Sequence, residues 1–194
     1  MTEQTGSKVW WNQKYETSND YLYGRAPSTF LADNLRYLRK GHTLDIGSGE
    51  GRNAVYLASK DYEVLGIDFS DIAMKRAETL AKQTDVRVEF KNQDLNFFLV
   101  PLMKHDSIIL IDTRPPLTLL KSLSRGLVNG GTLFVEAYTV NQIGRSGPKP
   151  DISECYKPNE LLRHVTDLHV IYYNERIHDN EPARVQLIAK KSIR

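Results

Sequence analysis

The chain has little of what marks secreted or membrane-spanning proteins. Cys155 is the only cysteine among the 194 residues, which excludes an internal disulfide framework and a thiolate-rich zinc site. No apolar run approaches the roughly 20 residues that cross a bilayer, and residues 1–7 lack the apolar segment of a signal peptide. These absences predict a cytoplasmic protein without a membrane partner.

The chain also lacks an excess of charge of either sign. Lysine and arginine number 26 and aspartate and glutamate number 24, so the formal net charge is +2. This balance gives no reason to expect nucleic acid or an anionic surface as a partner. We predict no bound metal, and the sequence does not fix an oligomeric state.

The composition is that of a single folded domain. A hydrophobic content of 40% and a charged content of 26% predict one globular domain over residues 1–194. Residues 1–8 are polar, and we expect them to be disordered. Residues 9–40 are rich in aromatic side chains and are expected to form an N-terminal cap. Residues 139–157 have no periodicity and contain two glycines and two prolines, which predicts a long, lid-like loop.

Strand-like and helix-like patterns alternate along the chain. The predicted strands are 42–46, 63–67, 86–90, 107–111, 132–138, 168–176 and 184–191, and the predicted helices are 28–38, 52–60, 70–83, 116–126 and 159–166. This order predicts an α/β fold with a doubly wound, Rossmann-like sheet of seven strands. The sheet should be mostly parallel with an antiparallel C-terminal strand, and helices should cover both faces.

A glycine-rich turn at residues 43–53 is the most informative motif. The apolar run Thr-Leu-Asp-Ile leads into Gly-Ser-Gly-Glu-Gly, a helix follows at once, and the next strand ends at Asp68. Glycines allow positive φ and close approach of the backbone to a ligand. A carboxylate at the end of the second strand is placed to accept both hydroxyls of a ribose. The pattern predicts a nucleoside-binding site.

A nicotinamide dinucleotide is the nearest competing ligand. Its fingerprint needs a glycine three residues after the second one, and Arg52 occupies that position here. Glu50 lies in the turn, where a carboxylate would repel a pyrophosphate. An NAD-dependent oxidoreductase is therefore the less favoured interpretation.

Acidic residues also stand at or near the ends of five predicted strands, where ligands bind in open α/β sheets. They are Asp45, Asp68, Asp94, Asp112 and Glu136. We expect this edge of the sheet to hold the site.

Taken together, these motifs resemble those of the class I S-adenosylmethionine (SAM)-dependent methyltransferases, in particular the small tellurite-resistance-type and thiol-methylating branch. The residues that carry the resemblance are Trp11-Asn12-Gln13-Lys14-Tyr15, Tyr23-Gly24-Arg25-Ala26-Pro27, the run from Asp45 to Ala58, Gly66-Ile67-Asp68-Phe69-Ser70, Gln93-Asp94-Leu95 and Asn129-Gly130-Gly131-Thr132. The resemblance extends from Trp10 to about Ile188.

The resemblance implies roles for individual residues in binding SAM and its product S-adenosylhomocysteine. Gly47 and Gly49 would face the methionine part, Asp68 the ribose, Phe69 and Leu95 the adenine ring, Asp94 the adenine amino group, and Ile111 the sulfonium. Arg25 and Arg52 are candidates for the SAM carboxylate, and Asp45 belongs to the same cofactor-binding set.

The sequence departs from known methylation motifs after the fourth strand. Residues 112–116 read Asp-Thr-Arg-Pro-Pro, without the Asn-Pro-Pro-Tyr-like motif of nucleobase and protein-amide methyltransferases. We expect a small-molecule acceptor, such as a thiol or a metalloid oxyanion. Candidate bases for a protonated acceptor are Asp112 and Glu136. Candidates for the acceptor pocket are Trp11, Tyr15, Tyr23, Arg114 and Tyr138. A non-catalytic domain that binds SAM or a nucleoside is the alternative from another functional class.

Overall fold

The computed structural model describes residues 6–193 and contains a seven-stranded sheet with helices on both faces. The strands are β1 (His42–Ile46), β2 (Glu63–Asp68), β3 (Glu89–Asn92), β4 (His105–Ile111), β5 (Leu127–Tyr138), β6 (His169–Asn174) and β7 (Arg184–Lys190). The α-helices are α1 (Lys8–Thr17), α2 (Thr29–Asp33), α3 (Arg52–Ala58), α4 (Asp71–Gln83), α5 (Leu117–Leu120), α6 (Leu123–Gly126) and α7 (Glu160–His164).

The strand order is β3-β2-β1-β4-β5-β7-β6. Strands β1 to β5 pair in parallel, and β7 is antiparallel to both β5 and β6. The predicted doubly wound architecture is confirmed. The order reverses between β1 and β4, so their carboxyl ends form the switch point at which such sheets bind ligands.

Strand β4 shows how the sheet is covered on both faces. Ile108 and Leu110 pack with residues of α5, α6 and α7, whereas Ile109 and Ile111 pack with residues of α2 and α3. Successive side chains of a strand point to opposite faces, so the continuous apolar run in this strand is explained by burial on both sides.

Several predicted boundaries differ from the observed ones for local reasons. The predicted third strand at 86–90 is wrong by about three residues. Asp85 has φ +55° and the Val86 N–H donates to Ala81 O, so the chain there is still closing helix α4. The predicted helix at 28–38 is divided into α2 and a 3-10 helix at Leu35–Tyr37, and between them Asn34 Nδ2 donates to Phe30 O. The predicted helix at 116–126 is divided into α5 and α6.

The N-terminal cap begins earlier than expected. Residues 1–5 of the predicted disordered segment lie outside the described residues, but α1 already starts at Lys8, with Ser7 as its N-cap. Glu50 attaches the N-terminal cap segment, residues 9–40, to the glycine turn. Its Oε2 accepts from Leu22 N at 2.6 Å, and its Oε1 pairs with Arg76 at 2.8 Å. The buried carboxylate therefore holds the segment after α1 against the turn.

The loop at 139–157 is braced from within. The buried Gln142 donates through Nε2 to Ser146 O and Pro148 O, and its Oε1 accepts from Ala183 N at 2.8 Å. A parallel bridge joins Thr139 to Tyr156 at the base of the loop. The loop has a defined shape, and its action as a lid stays a prediction. Over the described part of the chain, no helix combines the length and apolarity needed to traverse a bilayer.

Candidate functional site

A cavity of about 380 Å³ opens at the carboxyl ends of β1, β2 and β4. The strand ends and the glycine turn form its floor, while the N-terminal cap and the 139–157 loop form its walls. The residues that line it are Gly6, Trp11, Tyr15, Tyr23, Gly24, Gly47, Ser48, Gly49, Glu50, Arg52, Asn53, Asp68, Phe69, Asp94, Leu95, Asn96, Ile111, Asp112, Thr113, Arg114, Pro115, Pro116, Ser153 and Glu154. The structure thus brings most of the predicted site residues together.

The glycine turn has the shape that its sequence predicts. Gly47 and Gly49 have φ values of +68° and +52°, in the left-handed region that favours glycine. A Cβ on Gly47 would lie 2.6 Å from Thr113 Oγ1, and one on Gly49 would lie 3.0 Å from Tyr15 Oη. The turn therefore needs glycine both for its backbone angles and for the space that side chains would fill.

Asp68 stands at the end of β2 with its carboxylate held by the backbone. Its Oδ2 accepts from Gly49 N at 2.9 Å, and its Oδ1 accepts from Ser70 N at 2.9 Å. The residue is only 6% exposed, and burial raises the pKa of its carboxyl group. Each oxygen keeps a second lone pair. The carboxylate is fixed in orientation and retains acceptors for two hydroxyl groups, which fits a ribose.

The predicted adenine residues lie on the same side of the cavity. Phe69, Asp94 and Leu95 all line it. Asp94 Oδ1 accepts from the backbone N–H and from Nδ2 of Asn96, each at 2.8 Å. Within the described chain, Asp94 Oδ2 accepts no hydrogen bond, so it is available to an amino group. The site beside β2 and β3 therefore fits an adenosine.

Arg52 reaches the opposite side of the cavity as part of a charged chain. Its Nη2 donates to Asp112 Oδ2 at 3.0 Å, and Arg184 Nη1 donates to Asp112 Oδ1 at 2.6 Å. Asp112 has φ +57° and donates its N–H to Glu136 O, so it turns the chain at the end of β4. Both carboxylate oxygens of Asp112 thus face guanidinium groups, and the residue links Arg52 to Arg184.

Four predicted site residues do not line this cavity, namely Arg25, Asp45, Glu136 and Tyr138. Arg25 is exposed, pairs with Asp20 and lies over the Tyr21 ring. Glu136 is buried, accepts from Ser28 Oγ, and accepts from Gln186 Nε2 at 2.9 Å. Each of these side chains has its own protein partners, so neither is placed for SAM or for proton transfer.

Asp45 is 1% exposed and contacts the helix that follows the glycine turn. Its carboxylate interacts with the Ala54 N–H, while its Oδ2 has no hydrogen-bond partner among the described residues. Burial, and next the charge of Asp68, raise the pKa of Asp45 to about 7. Tyr138 lines a second, neighbouring cavity of about 300 Å³ instead of the first.

Sequence reasoning missed other residues of the site. Thr113 follows Asp112 directly, and its place after a strand end could have revealed it. Ser153 and Glu154 come from a short 3-10 helix at residues 152–154, within a loop that has no periodicity. Arg184 lies about 70 residues from its partner Asp112 along the chain, and no local pattern connects the two.

Comparisons with known proteins agree with this geometry. Residues 43–131 match the family described as a methyltransferase domain. A ubiquinone biosynthesis O-methyltransferase of Coxiella burnetii is 24% identical over 137 residues, which are 69% of this chain and 57% of the relative. An uncharacterised methyltransferase of Schizosaccharomyces pombe is 40% identical over 65 residues, which are 32% of this chain and 45% of that relative. The chain thus spans about half the length of these curated relatives.

Among solved structures, TehB from Haemophilus influenzae has a similar fold. The TM-score is 0.70 at 18% sequence identity, over 95% of this chain and 67% of that one. At this identity, the similarity concerns the fold alone. The sequence match at 43–131, the fold and the fit of the cavity to an adenosine lead to one conclusion. Residues 43–131 are similar to a methyltransferase domain whose cofactor is SAM, and the sheet around them has the fold of such proteins.

Proposed function

We propose that this protein transfers the methyl group of SAM to a nucleophilic atom of a small molecule. The observation that carries the proposal is Asp68, which is buried and held by two backbone N–H groups at the edge of the cavity. Asp94, Phe69 and Leu95 would hold the adenine, and the Gly47–Gly49 turn would face the methionine part.

The chain's own residues position the reactants and exclude water. SAM supplies an activated methyl group, so alignment and desolvation are the protein's contribution. Ile111 lines the middle of the cavity, and Trp11, Tyr15 and Tyr23 cover it from the N-terminal side. Trp11 and Tyr15 stack with ring centroids 5.6 Å apart. This aromatic wall shields the reacting atoms from solvent.

The size of the cavity favours a small molecule as the methyl acceptor, and the similar proteins suggest different chemical classes for it. The sequence motifs that resemble the tellurite-resistance-type and thiol-methylating branch suggest a thiol or a metalloid oxyanion, and the sequence relative named as a ubiquinone biosynthesis O-methyltransferase suggests a hydroxyl group. Arg114, which lines the cavity, is paired with Glu160 at 2.6 Å and is therefore not a free cation for an anionic acceptor.

Calorimetry with SAM and NADH tests the cofactor part of this proposal. We expect SAM to bind and NADH not to bind. Asp68→Ala should weaken SAM binding by about 2–4 kcal/mol, since two hydrogen bonds to the ribose are lost. Asp71→Ala is a suitable control, because Asp71 lies on the exposed start of α4. SAM binding without methyl transfer to any of a panel of thiols, tellurite, phenols and amines would favour a non-catalytic nucleoside-binding domain.

A further inference from the structure

The second cavity lies beside the cofactor cavity and shares part of its wall. It measures about 300 Å³ and is lined by Lys14, Leu22, Tyr23, Asp112, Tyr138, Pro148, Lys149, Pro150 and Glu154. Three of these residues, Tyr23, Asp112 and Glu154, also line the first cavity. These three side chains therefore border both spaces.

The three shared residues differ in their capacity to accept a proton. Asp112 has both oxygens occupied by Arg52 and Arg184. Desolvation raises the pKa of the Tyr23 phenol well above its usual range, so the phenol keeps its proton at neutral pH. Glu154 is different, because its two oxygens are not equally used.

Glu154 has one oxygen that accepts a backbone hydrogen bond and one that is buried without a donor among the described residues. Oε2 accepts from Asp151 N at 3.2 Å, which fixes the side chain on its 3-10 helix. Oε1 is shielded from solvent and accepts no hydrogen bond of standard geometry from residues 6–193. Hydrogen bonding by the Trp11 side chain is the smallest of the effects that lower the pKa of this carboxyl group. A buried carboxylate oxygen that accepts no hydrogen bond is unfavourable, and a bound molecule would supply the hydrogen-bond donor.

We propose that the second cavity binds the methyl acceptor, and that Glu154 Oε1 accepts the hydrogen of its nucleophilic O–H or N–H group and takes up that proton during transfer. The inference rests on the proposed function and names the substrate class for the same site. A new bond forms from the acceptor's oxygen or nitrogen to the methyl carbon, and the bond from that carbon to sulfur breaks. Its electron pair stays on sulfur, and the proton released by the acceptor moves to Glu154.

The Glu154 carboxylate disfavours a nucleophilic atom that is already anionic, whereas Lys14 and Lys149 of the same cavity could pair with a negative substituent elsewhere on the acceptor. A thiolate or a metalloid oxyanion would meet the charge of Glu154 and would offer it no hydrogen. A neutral hydroxyl or amine needs a base and satisfies the open oxygen. The apolar walls at Leu22, Tyr138, Pro148 and Pro150 suit an aromatic body. At about 30 Å³ for each water-sized group, the cavity has room for about ten such groups, which fits a single ring with substituents.

Burial and nearby groups act on the pKa of Glu154 in opposite directions, and the net effect raises it. Burial raises the pKa of its carboxyl group, while the Asp151 N–H and the Lys14 ammonium oppose the rise. The other ionisable groups that interact with Glu154 are Tyr15, Tyr23, Asp151 and Cys155. Asp112 interacts with Tyr23. A base must be deprotonated to act, so turnover should fall as the pH is lowered through the raised pKa of Glu154.

The test compares wild type, Glu154→Gln and the control Glu78→Gln, in which an exposed glutamate of α4 is changed. Phenol and aniline are the O–H and N–H probes, and benzenethiol and tellurite are the anionic ones. We expect methylation of phenol or aniline, with kcat about 100-fold lower in Glu154→Gln and the acidic limb of the pH profile lost. Glu78→Gln should match wild type in every assay.

Binding measurements separate this inference from the function on which it rests. The Kd for S-adenosylhomocysteine should change far less than kcat in Glu154→Gln, since the predicted adenosine contacts Asp68, Asp94 and Leu95 are unchanged. If wild type fails to bind S-adenosylhomocysteine, the proposed function fails and takes this inference with it. If wild type binds it but only benzenethiol or tellurite is methylated, or if Glu154→Gln keeps its kcat and pH profile, this inference alone is overturned.

Discussion

The Glu50 carboxylate is the point at which the N-terminal cap can be released from the rest of the protein. Its side chain is 4% exposed and joins Leu22 N at 2.6 Å to Arg76 at 2.8 Å. Glu50→Ala leaves the Leu22 N–H without its acceptor and Arg76 without its counter-ion. Removing one partner of a buried pair costs roughly 3–5 kcal/mol. Arg76 is partly exposed and keeps its bonds to the carbonyls of Ser18 and Asp20. We therefore expect the free energy of unfolding to fall by about 3 kcal/mol.

Urea denaturation measures this loss, and hydrogen exchange locates it. Exchange should quicken in residues 18–23 of Glu50→Ala, and SAM affinity should fall because Tyr15 and Tyr23 no longer cover the cavity. Arg25→Ala removes the exposed pair with Asp20 in the same segment, and we expect its urea midpoint to equal that of wild type. A Glu50→Ala protein with the urea midpoint and the hydrogen exchange of wild type would refute the inference that Glu50 holds the N-terminal cap against the glycine turn.

Three further outcomes are expected. Asp94→Asn should weaken SAM binding in calorimetry without lowering the melting temperature, since it replaces an acceptor-only group with a mixed one; an unchanged Kd or an unfolded variant would contradict its adenine role. The pKa of Asp45 is raised to about 7 in the folded protein, so its contribution to stability is full below about pH 4 and is lost as pH rises through 7. Asp45→Asn should therefore gain up to about 4 kcal/mol relative to wild type between pH 4 and pH 8 in urea titrations, and parallel stability curves would refute this. Hydrogen exchange in segments 10–26 and 139–157 should slow when S-adenosylhomocysteine binds, and exchange indifferent to the ligand would mean that neither segment closes over the site.

The sheet and the cofactor side of the site were predictable because their signals are local. An apolar run, a glycine turn and a strand-end carboxylate occur within a single β-α-β unit, so the positions of Gly47, Gly49 and Asp68 follow from spacing alone. The predicted start of the helix at residue 70 also agrees with the structure, where Ser70 Oγ accepts from Ala73 N at 3.1 Å.

The acceptor side was not predictable because its contacts are distant along the chain. Asp112 was identified from its strand end, but the two arginines that occupy it come from α3 and β7. Glu136 has an equally good strand-end position, yet Ser28 and Gln186 bury it away from the cavity. Glu154 lies in a loop without periodicity, and only folding brings it against α1.

A crystal structure of the complex with S-adenosylhomocysteine tests the central claim most directly. The account predicts that the two ribose hydroxyls lie within about 2.5–3.0 Å of the Asp68 carboxylate oxygens, with the adenine between Phe69 and Leu95 and its amino group at Asp94. A nucleoside bound elsewhere, or bound in this cavity with its ribose turned away from Asp68, would contradict the account.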